Sequence, residues 1–395
     1  ITATSFYNLG KTVHSFKNFP MLYHQKFSEK ESELFLSLAG ETIEYIEPVY
    51  RVSIVDKLRR TAPLKRKVSS KNRLNEFDMQ WALENPRDTD INVKKAWAYT
   101  KGKPNIVVAI IDTGVDLNHK ELKSQIWTNS GEIPGNNLDD DNNGYVDDVQ
   151  GWDFFGKSSN PFDDNGHGTH CAGVVASQGG KAWGAAPNVK IMALKFLDGR
   201  GYGSTADAIS AIDYAISMKA HVLSNSWGGS KYSKALEEAL SVAKTRNIIV
   251  VAAAGNSRKD ISFHKTYPAA LNLENMLTVA NINVQGDLHS SSNYSQELVH
   301  LAAPGTKIFS TYTDNSYASL TGTSMAAPYV SAAAALILSL NEKMNYRDLK
   351  KYILENVKYL PSLVGKVQSG GTLDLGKTLE AVTGASPPQD PPKKP

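Results

Sequence analysis

From residue 106 onward the chain alternates short apolar runs with longer segments of helical periodicity. Residues 106–111, 191–196, 222–226 and 248–253 are such runs, continuous rather than alternating with polar positions. A strand that shows one face to water alternates apolar and polar side chains, and a strand covered on both faces need not. The pattern predicts an α/β fold: a mainly parallel sheet between helices, with ligand-binding residues at the carboxyl ends of the strands. Residues 330–340 are the most apolar stretch, but they carry serines and reach about half of the ~20 residues a membrane span needs, so a buried helix is expected and no membrane span.

Ahead of this alternation, residues 12–53 read as a small α+β unit, with apolar Phe16, Phe19 and Leu22, a helical stretch over 30–39 and a strand-like stretch over 42–52. Residues 57–71 are dense in Lys and Arg around Pro63, as an exposed linker would be. The last ten residues are almost all Pro, Lys and polar and have little to bury, which predicts a disordered tail or linker. The expected units are therefore 1–56, a linker 57–75, a main domain 76–383 and a tail 384–395.

Composition narrows the function classes. The net charge of +3 is spread over many acids and bases with no aromatic-interleaved basic face, which argues against a nucleic-acid partner. Cys171 is the only cysteine, so no disulfide forms within the chain. The first ten residues lack the positive-then-apolar pattern of a signal peptide.

The chemistry-bearing residues stand where apolar runs meet glycines. Asp112 closes the first run in Ile111-Asp112-Thr113-Gly114, where an Asp also serves as an ordinary turn or capping residue. His167 lies in Gly166-His167-Gly168-Thr169-His170-Cys171-Ala172-Gly173; the two histidines lack the third ligand that a zinc site wants. Ser324, in Gly322-Thr323-Ser324-Met325-Ala326-Ala327-Pro328, sits at the start of an Ala-rich helix, where the dipole favours a developing anion and where Ser is equally a common cap. Asn256 follows Ala253-Ala254-Gly255 at a strand end.

In the order Asp112, His167, Asn256, Ser324, these four motifs resemble those of the subtilisin-like serine proteases, over roughly residues 75–382. The order Asp, His, Ser differs from that of chymotrypsin-like enzymes and α/β-hydrolases. The resemblance implies a three-layer subtilisin-like domain and a serine endopeptidase. Ser324 would be the nucleophile, His167 the base and acid, Asp112 the orienter of the imidazole, and Asn256 an oxyanion donor. It implies a peptide-binding edge over residues 223–229, carrying Ser224, Ser226, Trp227 and Gly228, and a second over 199–203, carrying Gly201. The primary pocket would run beside Ala253 and Gly255, narrowed by Thr266, and protein or peptide substrates would be cut with broad specificity. Cys171 after the second His is similar to the thermitase-like and proteinase K-like branch, whose cysteine lies under the catalytic histidine.

Residues 137–148 place oxygen-bearing side chains at alternate positions before Gly144, an EF-hand-like spacing. Calcium is expected there on Asp139, Asp141, Asn143, the Tyr145 carbonyl and Asp148 or Asp147, although the Glu that closes an EF-hand is replaced by Gln150. A weaker cation site is expected at Asp153 with Asp163 or Asp164. The segment 41–52 resembles the last strand of a subtilisin propeptide, and Gln80-Trp81-Ala82-Leu83 the start of many mature enzymes. That resemblance implies a monomeric zymogen, held by its own propeptide as an intramolecular inhibitor and located outside the cell or in the cell envelope.

Overall fold

The structure is a computed structural model that describes residues 12–15, 17–18, 23–25, 47–55 and 79–385. The expected helix at 30–39, the whole basic linker and the tail from 386 lie outside these residues.

The strands are, in chain order, β1 (Thr12–Ser15), β2 (Tyr23–Gln25), β3 (Arg51–Ile54), β4 (Val107–Asp112), β5 (Gly151–Asp153), β6 (Lys190–Lys195), β7 (Tyr202–Ser204), β8 (Val222–Asn225), β9 (Trp227–Gly228), β10 (Ile249–Ala253), β11 (Met276–Ile282), β12 (Leu301–Pro304), β13 (Ile308–Tyr312), β14 (Ser316–Leu320), β15 (Lys358–Tyr359) and β16 (Gly371–Thr372). The helices that matter for the site are α1 (His167–Ala176), α2 (Thr205–Ser217), α3 (Lys234–Thr245) and α4 (Thr323–Leu340). A nine-stranded sheet runs β15-β16-β12-β11-β10-β8-β4-β6-β5. Its pairings are parallel except that of β15 with β16.

Each of the four predicted runs is a strand, and all of β4, β8 and β10 is buried. Their side chains alternate between two cores rather than between core and water. Val108 and Ile110 pack with α1 and α4 on one face; Val107, Ala109 and Ile111 pack with α2 and α3 on the other. This is why the runs carry no polar alternation. β4 lies between β6 and β8, so the chain departs to opposite sides from it, and Asp112 stands at the carboxyl end of this switch point, where a crevice must open. The apolar run at 330–340 belongs to α4, which is 94% buried; it is the one helix among the described residues long and apolar enough to cross a membrane.

Candidate active site

The carboxyl edge of the sheet gathers the predicted residues. The Asp112 carbonyl accepts from the N–H groups of Phe196 and Leu197, which ties the end of β4 to the chain leaving β6. Its side-chain Oδ1 accepts from the Thr113 N–H and lies 2.7 Å from His167 Nδ1. His167 is the first residue of α1, and the turn before it requires glycine. Gly166 has φ of 104°, and a Cβ there would lie 2.1 Å from the Tyr312 ring.

Asp163, four residues ahead of His167, is fully buried. Its carboxylate accepts from the N–H groups of Asn165, Gly166 and Thr169 and from the hydroxyls of Thr113 and Thr169. It thereby joins the start of the His helix to the turn after Asp112. Burial pushes its carboxyl up, and the N–H donors of Gly166 and Thr169 pull it back.

Ser324 is the second residue of α4. Pro328 has no N–H to give the carbonyl four residues earlier, so the Ser324 carbonyl has no helical partner. It accepts instead from Ser226 Oγ at 3.0 Å and from Cys171 Sγ at 3.4 Å. The proline that interrupts the helix therefore fixes the serine to the neighbouring strand and to α1. Ser324 Oγ donates to the Ser226 carbonyl at 3.1 Å. The Cys171 sulfur, one Asp112 carboxylate oxygen and a His167 ring nitrogen all lie within 4.8 Å of one another. The buried thiol thus sits beneath the pair.

Asn256 leaves β10 through Gly255, whose φ is 101°. Its Oδ1 accepts from the Thr323 N–H at 3.0 Å, which aims Nδ2 outward, and Nδ2 donates to the Val55 carbonyl at 3.1 Å. Val55 directly follows the strand β3, which lies between β7 and β9 and pairs antiparallel with both. Ile54 N–H donates to the Gly201 carbonyl at 3.0 Å, Val52 pairs with Gly203, and Ser53 pairs with Gly228. Part of the segment read as propeptide-like thus lies along both expected peptide-binding edges.

Two further contacts hold the preceding chain. Glu47 accepts from the Ser233 hydroxyl and from the N–H groups of Lys234 and Ala235, which caps α3 at its positive end. The N–H groups of Lys17 and Asn18 both donate to the Asp213 carboxylate on α2.

The expected substrate-binding residues do not all face the cleft with their side chains. Ser224 lies in the middle of the sheet with its hydroxyl on Ser331, so it does not face the cleft. Ala253 is fully buried in the core. Trp227 contributes only backbone, since its ring is buried against Phe196. Thr266 does line the pocket: its Cγ2 lies 3.1 Å from where a Cβ on Gly228 would stand and 3.6 Å from one on Gly255.

The acidic loop also departs from its expected register. Glu132, which the spacing argument missed because it precedes the motif, offers a carboxylate oxygen within 4.8 Å of those of Asp139 and Asp141. Asp148 turns inward instead, accepting from the amides of Asn129 and Asn143 and from the Tyr214 hydroxyl, and burial raises its carboxyl. Asn143 donates its amide N–H to Asp141 and Asp148, and its Oδ1 accepts from the Tyr145 N–H. The Tyr145 ring packs among Trp152, Phe154 and Tyr214. At the weaker site, expected at Asp153 with Asp163 or Asp164, two of the carboxylates already have partners. Asp163 is consumed as described, and the buried Lys195 ammonium bonds Asp164 at 2.7 Å and the Thr113 carbonyl at 2.8 Å, supplying the positive charge there.

Comparison with known proteins agrees with this geometry. Residues 103–375 match the model of the Subtilase family. The chain is 37% identical over 294 residues to Subtilisin-like protease 1 of Plasmodium falciparum, an alignment that covers 69% of this chain and 43% of that protein. It is 39% identical over 268 residues to the Major intracellular serine protease of Bacillus subtilis, covering 66% of this chain and 77% of that one. Among solved structures, a cold adapted subtilisin-like serine proteinase superposes with a TM-score of 0.58 at 29% identity, covering 69% of this chain and 89% of that chain. The chain spans less than half the length of the Plasmodium relative. With a matched region that contains Asp112, His167, Asn256 and Ser324, this chain belongs to the subtilase family.

Proposed function

We propose that the protein is a serine endopeptidase that cleaves peptide bonds through an acyl-enzyme and is made as a self-inhibited zymogen. The observation that carries this reading is the Val55 carbonyl on Asn256 Nδ2, at the end of an extended strand paired on both sides. A peptide carbonyl in that position is where a tetrahedral oxyanion would form, and an aimed donor there stabilises the charge as it develops. In the mechanism, Ser324 Oγ attacks the carbonyl carbon and gives its proton to His167 Nε2. Asp112, bonded to Nδ1, holds the ring and stabilises the imidazolium, which then protonates the leaving amine. Water repeats the sequence on the ester.

Main-chain pairing supplies most of the affinity, which supports broad specificity with preferences added by pockets. The same strand blocks both edges until it is cut and displaced, and the Glu47 and Asp213 contacts hold the segment against the domain meanwhile. On the acidic loop, Glu132, Asp139 and Asp141 would hold calcium. Their oxygens suit a hard cation, and no Lys or Arg pairs with them among the described residues. Bound calcium would tie the loop's two ends together and would suit a setting outside the cell or in its envelope, where free calcium is plentiful.

The test is to incubate the chain and a Ser324→Ala variant with an unstructured protein and a serine-directed fluorophosphonate, following cleavage by mass spectrometry. Cleavage and labelling by the parent are expected, with activity lost on the order of 10⁶-fold in the variant, the figure known for removing the nucleophile in subtilisin. A fully processed parent that neither labels nor cleaves would leave a binding cleft and no peptidase.

A further inference from the structure

The docked strand also reports what the cleft selects. Residues 51–54 form a strand, and their side chains alternate between two sides. Val52 and Ile54 point inward and are buried, 4% and 9% exposed. Val52 Cγ1 lies 3.1 Å from where a Cβ on Gly229 would stand, and Ile54 packs over Gly201 in the same way at 2.8 Å. These two glycines leave room for branched aliphatic side chains. Val55 Cγ1 and Thr266 Cγ2 lie 3.3 and 3.1 Å from one point, the missing Cβ of Gly228, so the threonine methyl closes the pocket where Val55 enters.

Arg51 points outward. Its guanidinium carbon stands 3.8 Å from the centroid of the Tyr202 ring on the facing strand. That ring is held on a braced loop: Tyr202 gives its N–H to Asp198 Oδ1, and the Tyr202 carbonyl accepts from the Asp198 N–H at 2.8 Å. The other cation of the loop, Arg200, is paired with Asp198 at 2.8 Å, so it is compensated when a second guanidinium arrives. Pairing continues one residue further, with Tyr50 and Thr205 exchanging hydrogen bonds. The interaction of Arg51 is therefore part of the aligned strand and not a fold-over from its end.

We propose that Tyr202 is a specificity residue whose ring takes a guanidinium four residues before the scissile carbonyl, a contact outside the primary pocket that Thr266 lines. The substrate class is then an extended peptide with Arg, Val, Ile and Val at the positions of Arg51, Val52, Ile54 and Val55, cut after the last. The chain's own bond following Val55 is the first that fits. This inference rests on the peptidase reading. Arginine is preferred over lysine because its planar, weakly hydrated head stacks on a ring, whereas an ammonium keeps its water.

The experiment uses the full chain, its fluorophosphonate-reactive sites counted, and peptides of sequence 48–59 with Arg51 kept, replaced by Ala or replaced by Lys, and with Val55 kept or replaced by Phe. Cleavage after Val55 is expected, with kcat/KM falling about two- to five-fold on Arg51→Ala, which is what a surface cation–π contact of ~0.5–1 kcal/mol amounts to. In a Tyr202→Ala enzyme that difference between peptides should vanish. In a Thr266→Gly enzyme the Phe peptide should gain at least about ten-fold relative to the Val peptide, the order set by one to a few methylenes in a pocket. An enzyme that labels but cuts the peptides at another bond, or keeps the full Arg51→Ala penalty after Tyr202→Ala, overturns this inference and leaves the peptidase reading intact. A processed enzyme that neither labels nor cuts overturns both.

Discussion

Asp112 and Asp141 are both carboxylates with identified partners, but they are held from opposite directions. The acceptor on Asp112 faces His167, 55 residues away in sequence, and its backbone is pinned by residues that leave another strand. Asp141 is held by Asn143 two residues on and by Asn129 twelve residues back, and its neighbour Asp139 by the N–H groups of Asn143 and Gly144. The first site exists only when the sheet exists. The second is nearly closed on itself, a loop whose carboxylates are satisfied by its own amides and whose remaining need is for positive charge. The active centre should therefore respond to mutation chiefly in rate, and the loop chiefly in stability.

Three measurements would sharpen or break this contrast. The largest effect is expected at Asn256→Ala, which should lower kcat by about 10²–10³, the loss that subtilisin shows for one oxyanion donor, while moving KM little. Because Asn256 also accepts from Thr323, the melting temperature should be recorded beside the rate. A drop in kcat smaller than ten-fold would reduce Asn256 to a turn residue.

Next comes calcium, measured as the melting temperature of the Ser324→Ala protein, which cannot digest itself. At calcium about a hundred-fold above its Kd, the bound state gains ~2.7 kcal/mol, so chelation should lower the transition by roughly 3–5 °C. Glu132→Gln or Asp141→Asn should abolish the response, and Asp148→Asn should keep it, because Asp148 faces Tyr214 and the amides instead. The reverse pattern would restore the EF-hand-like register and remove Glu132 from the site.

The smallest effect concerns acid. Burial drives both His170 and His300 down to about 3 from the usual 6.5. Each is neutral in the folded chain and takes up a proton on unfolding below pH 6.5, so the unfolded state binds more protons between pH 6.5 and about 3. Stability is fully present above that window and is lost as pH falls through it. The Ser324→Ala protein should melt progressively lower from pH 6.5 downward, and His300→Gln should flatten part of that slope. An unchanged slope would mean that His300 already carries its proton when folded.

Much of this was legible in the residues. Four continuous apolar runs gave four buried strands at nearly the stated positions, because a strand covered on both faces leaves its mark in a short window. The glycine-flanked motifs of Asp112, His167, Asn256 and Ser324 were legible for a related reason: close approach and sharp turns restrict which residues fit. The direction of a side chain was not legible. Ser224 sits two residues from Ser226, in the same motif, yet its hydroxyl bonds to Ser331 in the core while the Ser226 carbonyl takes the hydroxyl of Ser324. Asp148 carries the same charge as Asp141 and faces a tyrosine, and Glu132 joins the acidic cluster from outside the motif.

The amino-acid sequence by itself determined the periodicity of the core, the family and the identity of the reacting groups, since these depend on residue type and near neighbours. Tertiary structure decided which oxygens converge, that the Lys195 ammonium pairs with Asp164, and that residues 51–55 lie in the cleft with Val55 at Asn256. Those outcomes turn on the packing of segments up to two hundred residues apart, where a rotation of one residue along a strand exchanges core for cleft.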